Sequence, residues 1–170
     1  MNQRLSYGKV AHAVYKGMLA LQDSVHKSGL EKDLMDLVCL RVSQINGCAF
    51  CIDMHWRDLR ARGFSEQQLC LLSVWREAEG YSGRQRAALE WAESVTRLAN
   101  QEVTDEVYRV AREQFSEAEL AYLTLAVIAI NGWNRLNVAF RTPVPAYATV
   151  GARSGAGAEP ENRSGTTGLH

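Results

Sequence analysis

The chain has 170 residues, enough for one domain with a substantial core. Hydrophobic residues make up 46% and charged residues 22%, an ordinary globular balance, and 19 basic side chains offset 19 acidic ones. Zero formal charge excludes the basic field that gathers nucleic acid and the polybasic patch that docks on anionic membranes.

Helical periodicity dominates. Val10, Val14, Met18, Leu21 and Val25 keep a 3.6-residue period that Gly29 ends. Leu34, Leu37, Val38, Leu40 and Val42 define a second helix that stops at Asn46-Gly47. A third runs to about Arg62, with Gly63 as its C-cap. Ser65-Glu66-Gln67-Gln68 is a capping-box start for a fourth. Ser82-Gly83-Arg84 opens a fifth, with Ala87, Ala88, Trp91, Ala92 and Val95 turned inward. Thr104 caps a short sixth, and Ser116-x-x-Glu119 opens a long last pair. No alternating strand pattern competes, so the expected class is all-α. From Gly151 the composition turns to Gly, Ser, Thr, Ala, Glu and Arg without apolar periodicity. Residues 1–150 are therefore expected to form the domain and 151–170 a disordered tail.

The third helix carries the most informative segment, Cys48-Ala49-Phe50-Cys51 followed by His55. Positions i, i+3 and i+7 share one helix face. With Asn46-Gly47 as a break and cap, Cys48 falls in the first turn, where free backbone N–H groups and the positive dipole end favour a thiolate. His55, four residues beyond Cys51, is placed to exchange a proton with that sulfur. The pattern points to a redox or thiol-nucleophile site. Two rival explanations stand beside it. The cysteines could be core filling, since free Cys is often buried. Cys48, Cys51 and His55 could also hold zinc, but a structural site wants four ligands, and Cys39, Cys70, His12 and His26 lack ligand spacing.

Two segments echo each other at an offset of 85 residues. Leu120, Leu123, Leu125, Val127, Ile130, Asn131 and Gly132 align with Met35, Val38, Leu40, Val42, Ile45, Asn46 and Gly47. Both predict helix, Asn-Gly break, helix: a pseudo-repeated helical hairpin. Trp133, Leu136 and Phe140 then occupy the places of Cys48, Cys51 and His55. Apolar side chains serve that face in the second copy, which argues against mere core filling in the first.

The run from Leu40 to His55, together with Arg84 to Glu93 and Ile130 to Asn137, resembles the AhpD-like alkylhydroperoxidase branch of the carboxymuconolactone decarboxylase family. The shared motif is a carboxylate, eleven residues, then Cys-x-x-Cys-x-x-x-His. The resemblance implies a helical thiol peroxidase without metal, flavin or other cofactor. It implies that Cys51 attacks a small-molecule peroxide, that Cys48 resolves the sulfenic acid to a disulfide, and that an external dithiol reduces the pair. His55 and the upstream carboxylate would relay the proton. That carboxylate is Asp36, where the family usually has Glu, and Phe50 stands where some members place a His. Helix physics is divided, because the dipole favours Cys48 while His55 favours Cys51. A full imidazolium charge outweighs roughly half a charge from the dipole, so Cys51 is preferred.

The family also forms trimers and hexamers, so a homo-oligomer is expected, with neither nucleic acid nor membrane as partner. Met1 to Lys16 lacks a signal-peptide core, and the apolar run from Leu120 to Ile130 is too short for a bilayer. The expected compartment is the cytoplasm, where a cysteine pair is more often catalytic than structural. Arg41 is expected in a structural ion pair, Trp75, Trp91 and Trp133 in core or subunit contacts, and Ser43 and Gln44 in hydrogen bonds near the helix break. Arg84 and Arg86 beside Glu90 and Glu93 predict a solvated ion-pair face. Two other functions compete: a lactone decarboxylase, whose chemistry needs no cysteine pair, and a non-enzymatic redox-sensing oligomeric module.

Overall fold

Ser65, Ser82 and Ser116 each close a capping box with the residue three positions on, Gln68, Gln85 and Glu119. In each, the hydroxyl accepts from a backbone N–H of the first turn while the longer side chain reaches back, so helix starts are specified locally. The computed structural model describes residues 2–99 and 102–146, and the expected tail at 151–170 lies outside them. Eight α-helices follow in order among the described residues: α1 Tyr7–Val10, α2 His12–His26, α3 Lys32–Asn46, α4 Ala49–Ala61, α5 Glu66–Leu71, α6 Gly83–Thr96, α7 Asp105–Gln114 and α8 Glu117–Phe140. A 3₁₀ turn, Leu72–Val74, extends α5, and no strand occurs among these residues. The class is all-α, as the periodicity requires.

Helix α3 is the centre of the bundle. Nine of its 15 residues are buried because α4, α6 and α8 all pack against it. Its two faces feed two cores. Val38 and Val42 join Trp91, Leu123 and Val127, while Leu37 and Leu40 join Leu59, Leu72, Trp75 and Leu89. Each fully buried Leu here contributes roughly 1.5–3 kcal/mol of transfer free energy before entropy is counted.

Three sequence expectations need correction. The stripe from Val10 to Val25 is not one helix: the chain breaks at Ala11 (φ −138°, ψ 64°), Val10 is 65% exposed, and only Val25 is fully buried. Val10 and Val14 of that stripe are exposed among the described residues. Second, Asn131-Gly132 does not break a helix, because α8 runs through it without interruption. Gly132 serves close packing instead, since a Cβ on it would lie 2.8 Å from the Met18 Cε of α2. The echo of hairpins is thus a hairpin, α3–α4, paired with a single long helix. The two asparagines of the echo meet directly, with Asn46 Nδ2 donating to Asn131 Oδ1 at 3.0 Å.

Third, Glu93 is not on a solvated face. It is 1% exposed and accepts from Arg41 Nε (2.5 Å), Trp75 Nε1 (3.0 Å), Arg76 Nη1 (2.9 Å) and Arg97 Nη1 (3.1 Å). The segment around Trp75 folds over α6 and covers this carboxylate, which the residues of α6 alone do not reveal. Arg84 pairs away from α6, with Glu31 (2.8 Å) and Glu119 (2.6 Å), and Arg86 donates to the carbonyls of Trp75 and Tyr81. Arg41 is in a structural ion pair, as expected.

Candidate active site

The end of α3 fixes the start of the site. Gly47 adopts the left-handed conformation (φ 67°), its N–H bonds the Gln44 carbonyl at 3.3 Å, and Cys48 N–H bonds the Ser43 carbonyl at 3.0 Å. This is a Schellman motif, in which the carbonyls left free at a helix end are satisfied by a chain that turns sharply back. Glycine suits the position because a Cβ disfavours positive φ. The turn delivers Cys48 as the N-cap of α4 rather than into its first turn, and Cys48 Sγ accepts from Cys51 N–H at 3.4 Å. Both cysteines are 1% exposed and are joined by a disulfide, with Cα atoms 5.4 Å apart.

One turn further along α4, His55 is buried, and its Nδ1 lies 3.0 Å from Asp36 Oδ1 of α3. The other Asp36 oxygen accepts from Arg62, the C-cap of α4, which also pairs with Asp33 at 2.5 Å. Burial works against ionising Asp36, but the hydrogen bond and charge of His55 and the Arg62 guanidinium outweigh it, holding the carboxyl below its ordinary value. Asp36 thereby fixes the orientation of the His55 ring through its Nδ1 side.

A cavity of about 430 Å³ opens over these groups. Asp36, Cys51 and His55 line it, whereas Cys48 does not. Its other walls are largely apolar, with Tyr7, Tyr15, Leu19, Phe50, Met54 and Trp133. Trp133 is thus a cavity wall held by Gln22 (3.2 Å), while Trp75 and Trp91 are buried in the core. All four residues singled out for chemistry, Asp36, Cys48, Cys51 and His55, are brought together. Cys39 and Cys70 are not in the pair: Cys39 is buried, and burial with the nearby Asp36 charge pushes its thiol far up, while Cys70 is exposed.

Among the described residues, Asp36, His55 and Asp58 are close enough to share a cation, with ligand atoms within 4.8 Å. The Arg62 guanidinium already neutralises Asp36 and opposes a second cation there. The zinc set considered from sequence, Cys48, Cys51 and His55, offers no thiolate while the sulfurs are bonded to each other.

One participant was missed. Asn137 of α8 is buried, and its Nδ2 lies 3.4 Å from Cys51 Sγ while Tyr7 Oη donates to its Oδ1 at 3.0 Å. A signal for it existed: Asn131, Asn134 and Asn137 recur every three residues in the second half of a long, mostly apolar helix, where asparagine is disfavoured without a partner. Asn134 receives Asn46 at 2.9 Å and donates to Ser43 at 3.0 Å, so α8 also grips the turn that presents Cys48.

Comparison with known proteins shows the family of the chain. The carboxymuconolactone decarboxylase family model matches residues 12–94. YdfG of Bacillus subtilis, an uncharacterized protein, is 40% identical over 139 residues, covering 82% of this chain and 95% of that protein. A crystal structure of a protein of unknown function from Agrobacterium tumefaciens, advanced as an AhpD antioxidant defence protein, superposes with a TM-score of 0.83. It is 42% identical, over 86% of this chain and 100% of that one. The alkyl hydroperoxide reductase AhpD of Bradyrhizobium diazoefficiens is 43% identical over 47 residues, 28% of this chain and 26% of that protein. The chain belongs to the carboxymuconolactone decarboxylase family and is AhpD-like.

Proposed function

We propose that this protein is a thiol-dependent peroxidase that reduces organic hydroperoxides or hydrogen peroxide through the Cys48–Cys51 pair. The observation that carries this reading is the placement of Cys51 at the cavity wall, disulfide-bonded to Cys48 and beside the His55–Asp36 pair. In the reduced protein, the Cys51 thiol gives its proton to His55 Nε2, and the thiolate attacks the terminal oxygen of ROOH. The O–O bond breaks, Cys51 becomes a sulfenic acid, and RO⁻ takes the proton back from His55 as ROH. The Cys48 sulfur then displaces water from the sulfenic acid to form the disulfide. An external dithiol reduces it and is itself oxidised.

Asp36 orients the imidazole and balances its charge. The protein works as a homo-oligomer in this reading, with exposed apolar residues such as Val10 and Val14 covered by further copies. The deciding experiment is peroxide consumption with dihydrolipoamide or dithiothreitol, wild type beside Cys51→Ser. Turnover in the wild type and none in the variant is expected. Equal consumption in both would reject the reading.

A further inference from the structure

The Tyr7–Asn137–Cys51 chain is a polar feature of the cavity that the proton relay leaves unused. It joins three separate elements, because Tyr7 lies on α1, Asn137 on the last turns of α8 and Cys51 in the first turn of α4. A disulfide sulfur can only accept a hydrogen bond, so the amide nitrogen faces Cys51 and the amide oxygen faces Tyr7, which must then donate. Burial, with the neighbouring Tyr15, raises the Tyr7 phenol above its ordinary value and keeps it a donor. The N-terminal segment is held in place by Arg4, whose N–H bonds the Phe140 carbonyl at 3.0 Å and whose Nη1 bonds the Ala139 carbonyl at 3.2 Å. Tyr7 packs on the Phe140 ring, with centroids 5.9 Å apart. Asparagine three residues from a helix end, buried and satisfied on both sides, is not needed for helix formation.

We propose that Asn137 is a catalytic residue whose amide donates a hydrogen bond to the Cys51 thiolate, and that Tyr7 is a positioning residue that locks the amide in the donating orientation. A bond that is weak toward a disulfide sulfur becomes charge-assisted when the sulfur carries a full negative charge. The donor is therefore strongest in the reduced, attacking state, which lowers the cost of forming the nucleophile. His55 removes the proton and Asn137 holds the anion, so the two groups approach the sulfur with different tasks. The N-terminal segment becomes part of the active site through its tyrosine. What the thiolate attacks rests on the peroxidase reading, but the hydrogen bond itself does not.

The test uses the reduced full-length chain carrying Cys48→Ser, with peptide-resolved alkylation of Cys51 by iodoacetamide followed against pH. The other titratable groups around the cavity are His55 and Asp58 of α4, Asp36 and Lys32 of α3, Tyr7 of α1, and Tyr15 and His26 of α2. All of them are retained in Asn137→Ala. That variant should raise the Cys51 midpoint by about one unit, a roughly tenfold loss of thiolate at neutral pH. Single-turnover peroxide reduction should slow roughly 10- to 100-fold, less than loss of an oxyanion-hole donor because sulfur is the weaker acceptor. Asn137→Asp, which replaces the donor with a carboxylate, should raise the midpoint further. Tyr7→Phe should shift it in the same direction by a smaller amount.

Alkylation needs no peroxide, so a shifted midpoint in a protein without peroxidase activity supports the Asn137 assignment and rejects only the peroxidase reading. An unchanged midpoint in folded Asn137→Ala overturns the assignment. If that variant does not fold, an unchanged midpoint in Tyr7→Phe overturns it.

Discussion

Asp36 and His55 meet 3.0 Å apart across the α3–α4 hairpin, and Arg62 closes the other side of the carboxylate. His55→Ala removes the group proposed to move the thiol proton and is expected to slow peroxide reduction by roughly 10² to 10⁴. Asp36→Asn should cost less, because it leaves the imidazole in place and removes only its charge balance. Asp36→Glu, the family's usual residue, should be neutral or faster. Stopped-flow single turnovers on the three variants check the ranking, and an unchanged rate in His55→Ala removes the histidine from the mechanism.

The proposed peroxidase cycle gives the two cysteines separable roles. Cys48→Ser should reduce one equivalent of peroxide and stop, with a trappable sulfenic acid at Cys51. Cys51→Ser should be inactive from the first turnover. In the wild type, peroxide treatment should remove two blockable thiols from the peptide holding both residues. Trapping at Cys48 in Cys51→Ser at a normal rate would exchange the roles of nucleophile and resolver.

Acid should weaken the fold through two carboxylates. Burial opposes ionisation of Glu93, but hydrogen bonds from Arg76, Arg41 and Trp75 outweigh it and hold the carboxyl below its ordinary value, as His55 and Arg62 do for Asp36. Groups with lowered folded values stabilise above the unfolded carboxylate range, about pH 4, and lose that contribution as pH falls through the folded value. Thermal melts should therefore drop below about pH 4. Glu93→Ala should cost roughly 3–5 kcal/mol at neutral pH, since it leaves the buried Arg41 without its carboxylate. A cost within error of zero by urea denaturation would refute the hub.

Gly47 should resist substitution for conformational reasons alone. Among the described residues, no atom beyond the adjoining backbone lies within 4 Å of a Cβ built there, yet φ is 67°. Gly47→Ala is expected to cost about 1–2 kcal/mol. Gly47→Asn should cost less, since asparagine tolerates the left-handed region. Urea midpoints of the two variants give the comparison, and equal stability of wild type and Gly47→Ala would contradict it.

Light scattering at micromolar concentration should give a mass several times that of the chain, because Val10 of α1 and Val14 of α2 are exposed apolar side chains. Val14→Lys should shift the mass toward the monomer. A clean monomer for the wild type would contradict the oligomer.

Asp36 came from the resemblance to the family, whereas sequence by itself determined the helical class, the helix starts at Ser65, Ser82, Thr104 and Ser116, and the grouping of Cys48, Cys51 and His55. These follow from local rules: period, caps, and spacing along one helix face. Tertiary structure alone decided the rest. Asn46-Gly47 and Asn131-Gly132 are the same dipeptide, yet one is a left-handed turn and the other continues a helix packed on Met18. Glu93 looks like a surface charge until Trp75 and Arg41 arrive from distant elements. Asn137 reaches Cys51 from 86 residues away, and Tyr7 reaches Asn137 from 130. Such contacts depend on how helices cross rather than on any one helix, so no local period encodes them.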